Sequence, residues 1–334
     1  TVTFTGNLLV SNGTTTLNTM DSGREATDVF TVTGHTNLTG SLTANDTTMN
    51  LGSMFIASSG TYSATSGTTT LTKEADNGGT DFMLYNDGGT FTHNSGKVLF
   101  DDAGLSNGSN IRNPSSFHDV EIALGSFSCT AHHNMTCTGT FLVTSGTYSD
   151  GSNGFHIDEL VTIKNGATIN LSNSTTQTKK LGALLVESGG TFRACRNITE
   201  FDGSGAGHSG QPSALEVESG ATFNNNLGTC KFTSAGDQDI EMDGTGMFYN
   251  LELAKTNNDV VMHANVEVEN NLTIDLAADH TLRPASTSNT VTVRGTTFIK
   301  EGKIGDTTAY NGTNNWGNLV MKSGTFILGS GTNN

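Results

Sequence analysis

The sequence predicts an all-β fold, a parallel β-helix or β-solenoid, and three observations carry that prediction. The composition lacks helix formers, one strand-and-corner motif recurs along the chain, and a larger block is duplicated. The 334 residues include 54 Thr, 41 Gly and 34 Asn, but only 3 Pro and 1 Trp. Hydrophobic residues are 34% and charged residues 14%. A chain so poor in Leu, Ala, Glu and Lys disfavours helices. Disorder usually pairs low hydrophobicity with high charge, and here the charge is low as well. What remains is a set of β-branched, small polar and turn-forming residues.

The motif is apolar-x-apolar-x-Ser-Gly-(x)-Thr-aromatic. Phe55–Tyr62 (FIASSGTY) matches Phe141–Tyr148 (FLVTSGTY), and Leu184–Phe192 matches Leu215–Phe223 at a spacing of 31. Looser copies stand at Asp87–Phe91, Val161–Ile169, Val291–Phe298 and Ser323–Phe326. Apolar residues at every second position make a strand buried on one face. The Gly supplies a corner, and Thr plus an aromatic residue begin the next strand. One such unit cannot cover its own apolar face, whereas stacking it on its neighbours does. Rungs of 20–31 residues are therefore expected, with fourteen or so rungs at ~4.8 Å making a rod roughly 65–70 Å long. A β-sandwich array is the competing architecture. It would need frequent two-residue hairpin turns, and these are few.

The larger repeat has an offset of about 131 residues. Phe117–Ala123 (FHDVEIA) aligns with Phe248–Ala254 (FYNLELA), and the match pairs His132 with His263. Upstream, Thr90–Gly96 aligns with Thr222–Gly228 at an offset of 132. The chain therefore divides into irregular N-terminal rungs over 1–81, a first block over 82–213 and a second over 214–334, as one continuous rod. It begins at Thr1, without a leader, which suggests a processed protein or a segment of a longer one.

The formal charge of −16 comes from 32 acidic and 16 basic residues. It argues against nucleic-acid binding, which needs a basic stripe for phosphates. No apolar run is long enough for a membrane-spanning helix, so membrane insertion is not expected.

The segments Gly89–Phe100 and Phe248–Leu253 resemble repeats of β-solenoid proteins from bacterial surfaces and phage virions, the adhesin passengers and tail-fibre or appendage proteins. The resemblance implies a parallel β-helix with an extracellular or virion-surface structural role. It carries no catalytic residues, and no cofactor is expected.

Candidate chemical sites are few. Cys129 and Cys137 align with Val260 and Val268, and Cys230 with Val98, which reads as small buried apolar residues. A Cys129–Cys137 disulfide is the alternative in an oxidising compartment. A metal held by that pair with His132 and His133 lacks the close spacing of structural zinc sites. The acidic residues Asp101, Asp102, Asp202, Asp237 and Asp239 stand beside Gly and read as solvated turns, with calcium as the alternative. Tyr62, Tyr148 and Tyr310 are the aromatic candidates for glycan contact.

The expected function is a non-enzymatic structural segment of a fibre or filament, self-associating as a trimer or head to tail. The alternative is a glycan-binding adhesin or receptor-binding module. Third comes a polysaccharide lyase or hydrolase, which would need carboxylates converging from several rungs.

Overall fold

The computed structural model describes residues 1–17, 28–203, 213–236, 238–286, 288–305 and 315–326. Among these residues there is no helix and 59% are strand, wound as a parallel β-solenoid of about 13 turns with rungs of about 22 residues. The turns fall into two compact units. One comprises 1–157 with 167–169, and the other 158–166 with 170–334.

In the first unit each early coil contributes strands to three stacks. The first stack runs from Val2–Phe4 through the start of Val29–Leu38 and the start of Thr48–Ile56 to Thr68–Leu71 and Lys97–Asp101. The second joins Leu8–Val10, the end of Val29–Leu38, the end of Thr48–Ile56, Asp81–Asn86 and Ser109–Arg112. The third stacks Thr14–Thr16, Ser41–Thr43, Thr61–Ser63 and Thr90–Thr92. All these pairings are parallel, so each inner strand of a stack hydrogen-bonds to the coil before it and the coil after it. Inward positions form apolar columns, such as Val98, Val120 and Phe141. Each such buried side chain contributes about 1.5–3 kcal/mol of transfer free energy.

The second unit follows the same plan. Leu184 pairs with Leu215 and Phe192 with Phe223, the 31-residue spacing read from the motif. The Phe201 ring stacks on Phe232 at 4.8 Å and 19°. The duplication is structural as well. The column Val98–Val120–Phe141 of the first unit has its counterpart in Cys230–Leu251–Leu272 of the second. Phe117 bridges Cys137 as Phe248 pairs with Val268.

The corners repeat in atomic detail. Asn94 and Ser95 have φ of 48° and 59°, and their counterparts Asn226 and Leu227 have 49° and 58°. The amide of Ser95 donates to His93 Nδ1 at 3.0 Å, and that of Leu227 donates to Asn225 Oδ1 at 2.9 Å. The next residue is glycine in both because the preceding coil lies too close for a side chain. A Cβ at Gly96 would stand 2.0 Å from the Thr65 carbonyl oxygen, and one at Gly228 2.1 Å from that of Cys195.

One segment departs from the coil plan. Ala75–Asp76 pairs antiparallel with Asp81 and Phe82, making a short hairpin on the side of the first unit. Its turn is closed by the Asn77 amide donating to the Thr80 carbonyl, and by the Gly79 amide donating to Asp76 Oδ1.

Candidate functional site

The predicted tyrosines are corrected by the structure. Tyr62 and Tyr148 are fully buried, not exposed glycan contacts. After the glycine corner the Thr points outward, so the aromatic residue that follows takes the inward phase of the strand. Tyr62 donates or accepts a hydrogen bond with Thr69 Oγ1 at 2.8 Å inside the coil. The Tyr148 hydroxyl has no hydrogen-bond partner among the described residues. Burial pushes both phenols well above their ordinary pKa, against the opposing effect of the Thr69 bond at Tyr62. Tyr310 lies outside the described residues.

For Cys129 and Cys137 the structure shows the small buried reading and not the alternative disulfide. All four cysteines are buried thiols. Cys129 stands in a column between Ser109 and Tyr148, whereas Cys137 lies beside Phe117 and Ile157. The two belong to different stacks of their coil. Burial raises the Cys129 and Cys230 thiols far above the usual range, which makes them poor nucleophiles.

The acidic candidates are not brought together. Asp101 accepts from the Ala103 amide within its own turn. Asp202 faces Lys180 at 3.5 Å, and Asp239 meets His263 Nε2 at 2.8 Å. Asp102 lies beside Gly125, in another coil corner. Asp237 lies outside the described residues. Among the described residues no group of three His, Cys, Asp or Glu side chains could hold a metal ion.

Two other features stand out. The first is a cleft of about 500 Å³ on the outer face of the second stack in the first unit. Strand register aligns Leu9, Asn37, Phe55, Tyr85 and Arg112 as one outward column. The Phe55 and Tyr85 rings stack at 5.5 Å and 11°. The Arg112 guanidinium lies 4.9 Å from the Tyr85 ring centre, hydrogen-bonds its hydroxyl, and reaches Asp87 at 3.8 Å. Beside this column His35 Nδ1 shares a hydrogen bond with Ser53 Oγ at 2.7 Å. The hairpin forms the wall, with Asp76, Asn77 and Phe82 facing the cleft. Its base is tied down by Glu74, which accepts from both the amide and the hydroxyl of Ser106.

A signal for this column exists in the sequence. Met54-Phe55-Ile56 and Met83-Leu84-Tyr85 are unbroken apolar runs. In an alternating strand, one apolar residue of such a run must point outward.

The second feature is the pair of outermost coils. Among the described residues, Val2–Phe4 and Leu8–Val10 pair only with Val29–Leu38, and Asn315–Met321 only with Val291–Glu301. Val2, Phe4 and Leu9 are exposed in the first unit, and Leu319, Val320 and Met321 in the second. Compared with known proteins, the chain matches no family model, no curated protein and no solved structure.

Proposed function

We propose that this chain is a non-enzymatic structural protein, an extracellular fibre or appendage segment of a virion or cell surface that associates head to tail through its outermost coils. The observation that supports this reading is the state of those coils. Among the described residues each is paired on one side only, and each bears exposed apolar side chains, Val2, Phe4 and Leu9 on one and Leu319, Val320 and Met321 on the other. An open strand edge offers a row of unpaired amides and carbonyls to another strand. The described coils stack in parallel register within each unit, so the unpaired side of such a coil can receive a coil of another copy by the same kind of contact. Such a contact joins different surfaces of two copies, does not close on itself, and builds a filament. A non-enzymatic role agrees with the acidic side chains, which meet separate partners in separate coils.

The test is sedimentation velocity on the full chain over rising protein concentration, with electron microscopy of the heaviest fraction. Assemblies that lengthen with concentration are expected. A Phe4→Lys, Leu319→Lys double variant should remain monomeric, because a charge in a buried contact is left without a partner. A wild-type chain that sediments as a monomer throughout would overturn the reading.

A further inference from the structure

We propose that the cleft beside the Ala75–Asp76 hairpin binds a neutral saccharide. This goes beyond the structural role, and its failure would leave the head-to-tail reading intact. The cleft's volume lies within the range of small-ligand sites. Its floor and its wall supply the two kinds of contact a sugar requires.

The first kind is a flat apolar surface. Phe55 and Tyr85 are only half-buried although they belong to an otherwise well-filled strand stack; their near-parallel rings stack on one another, so Tyr85, with Arg112 against it, backs the Phe55 ring that lines the cleft. The electron-rich face of an aromatic ring attracts the weakly positive C–H groups that line one side of a pyranose. The stacked pair is held in place by its neighbours. Phe82 packs edge-on against Tyr85 at 4.8 Å, and Arg112 covers it from the next coil. A surface already ordered loses little entropy when a ligand lands on it.

The second kind is a set of groups that can both donate and accept, as sugar hydroxyls do. Asn37, Asn77, Asp76 and His35 all line the cleft and are exposed. An amide offers two donors and an acceptor, a carboxylate accepts twice, and an imidazole does either. Asp76 spends one oxygen on the Gly79 amide, which fixes the carboxylate's position.

Charge selects the class of sugar. Among the described residues the cleft is lined by one carboxylate and no Lys or Arg. Among the described cations near it, Arg112 is engaged with Tyr85 and Asp87, and Lys73 with the Thr33 carbonyl. A uronic acid or sialic acid would find no counter-charge there, and the chain's −16 would repel it.

The experiment uses the full chain with cellotriose, maltotriose, triacetylchitotriose and trigalacturonate as probes. Saturation-transfer NMR detects contact and calorimetry measures affinity. At least one of the three neutral trisaccharides should bind. Phe55→Ala should weaken it by about tenfold, the equivalent of one lost stacking contact. Asn37→Ala, at an exposed position that cannot unfold the coil, should weaken it several-fold. Tyr249→Ala, a half-buried aromatic in the other unit, should leave it unchanged. The proposal is overturned if none of the neutral probes binds, if trigalacturonate binds more tightly than all of them, or if both cleft variants bind like wild type. Loss of self-association in Phe55→Ala without any sugar binding would also overturn it, assigning the cleft to a second copy of the chain.

Discussion

Two tyrosines in the same corner motif separate the value of a buried ring from that of a buried hydroxyl. Tyr62 has a partner in Thr69, while the Tyr148 hydroxyl has none among the described residues. Tyr62→Phe should therefore cost about 1 kcal/mol, and Tyr148→Phe should be neutral or stabilising, because it removes a desolvated polar group. Denaturant midpoints of the two variants, compared with wild type, check the pair. Leu227 is a third telling residue. It is 52% exposed and held at φ 58°, where its counterpart in the first unit is Ser95. A left-handed conformation costs a branched aliphatic residue roughly 1–2 kcal/mol. Asn tolerates that region, so Leu227→Asn should raise the melting temperature, with Leu227→Val lowering it. The burial of Cys137 and Cys230 was legible from the valines at matching positions. The orientation of Tyr62 and Tyr148 was misread, because the alternation had to be counted from the glycine corner and not from the aromatic residue's polarity.

The corner at residues 93–96 and its counterpart at 225–228 make the same turn with different chemistry. In the first, an imidazole accepts from the amide two residues on; in the second, an amide side chain does so. His93 stacks on His118 at 5.5 Å, and burial, followed by the His118 charge, lowers its pKa. The folded state therefore resists protonation that the unfolded chain accepts near the ordinary value of about 6.5. Above that pH the histidine costs nothing. As pH falls through it toward the lowered value, the unfolded state binds more protons and stability declines. His93→Asn keeps the turn's hydrogen bond and removes the titration, so it should flatten the fall in melting temperature between about pH 7 and pH 5. At this scale the sequence was informative wherever elements repeat: the pairing of Leu184 with Leu215 is the motif spacing itself. It was silent about the Ala75–Asp76 hairpin. That element occurs inside one coil, reverses direction in a chain of parallel strands, and echoes no other segment. The cleft depends on it, so the tyrosines of the repeated motif were picked instead of Phe55 and Tyr85.

For the molecule as a whole, the charge of −16 sets the conditions under which copies can meet. Two like-charged chains repel at low ionic strength, and the range of that repulsion shrinks to about 10 Å at 0.1 M salt. Head-to-tail assembly driven by exposed apolar residues should therefore increase between about 0.02 and 0.3 M sodium chloride, as read by light scattering. Assembly that dissolves as salt rises would instead mean that ion pairs hold the contact. The number of coils was also legible, about 13 against the fourteen or so expected, since rung length follows from how often the corner recurs. The parallel register has one more consequence, for heredity. Leu184 and Leu215 occupy equivalent places one coil apart. A deletion that joined Ala183 to Leu215 would remove one complete coil, leaving Thr178–Leu181 to meet Thr229–Phe232 as Ile198–Phe201 does now. Recombination between repeats can thus lengthen or shorten such a gene in steps that preserve the reading of every remaining strand, so the length of the protein can drift while its cross-section is inherited.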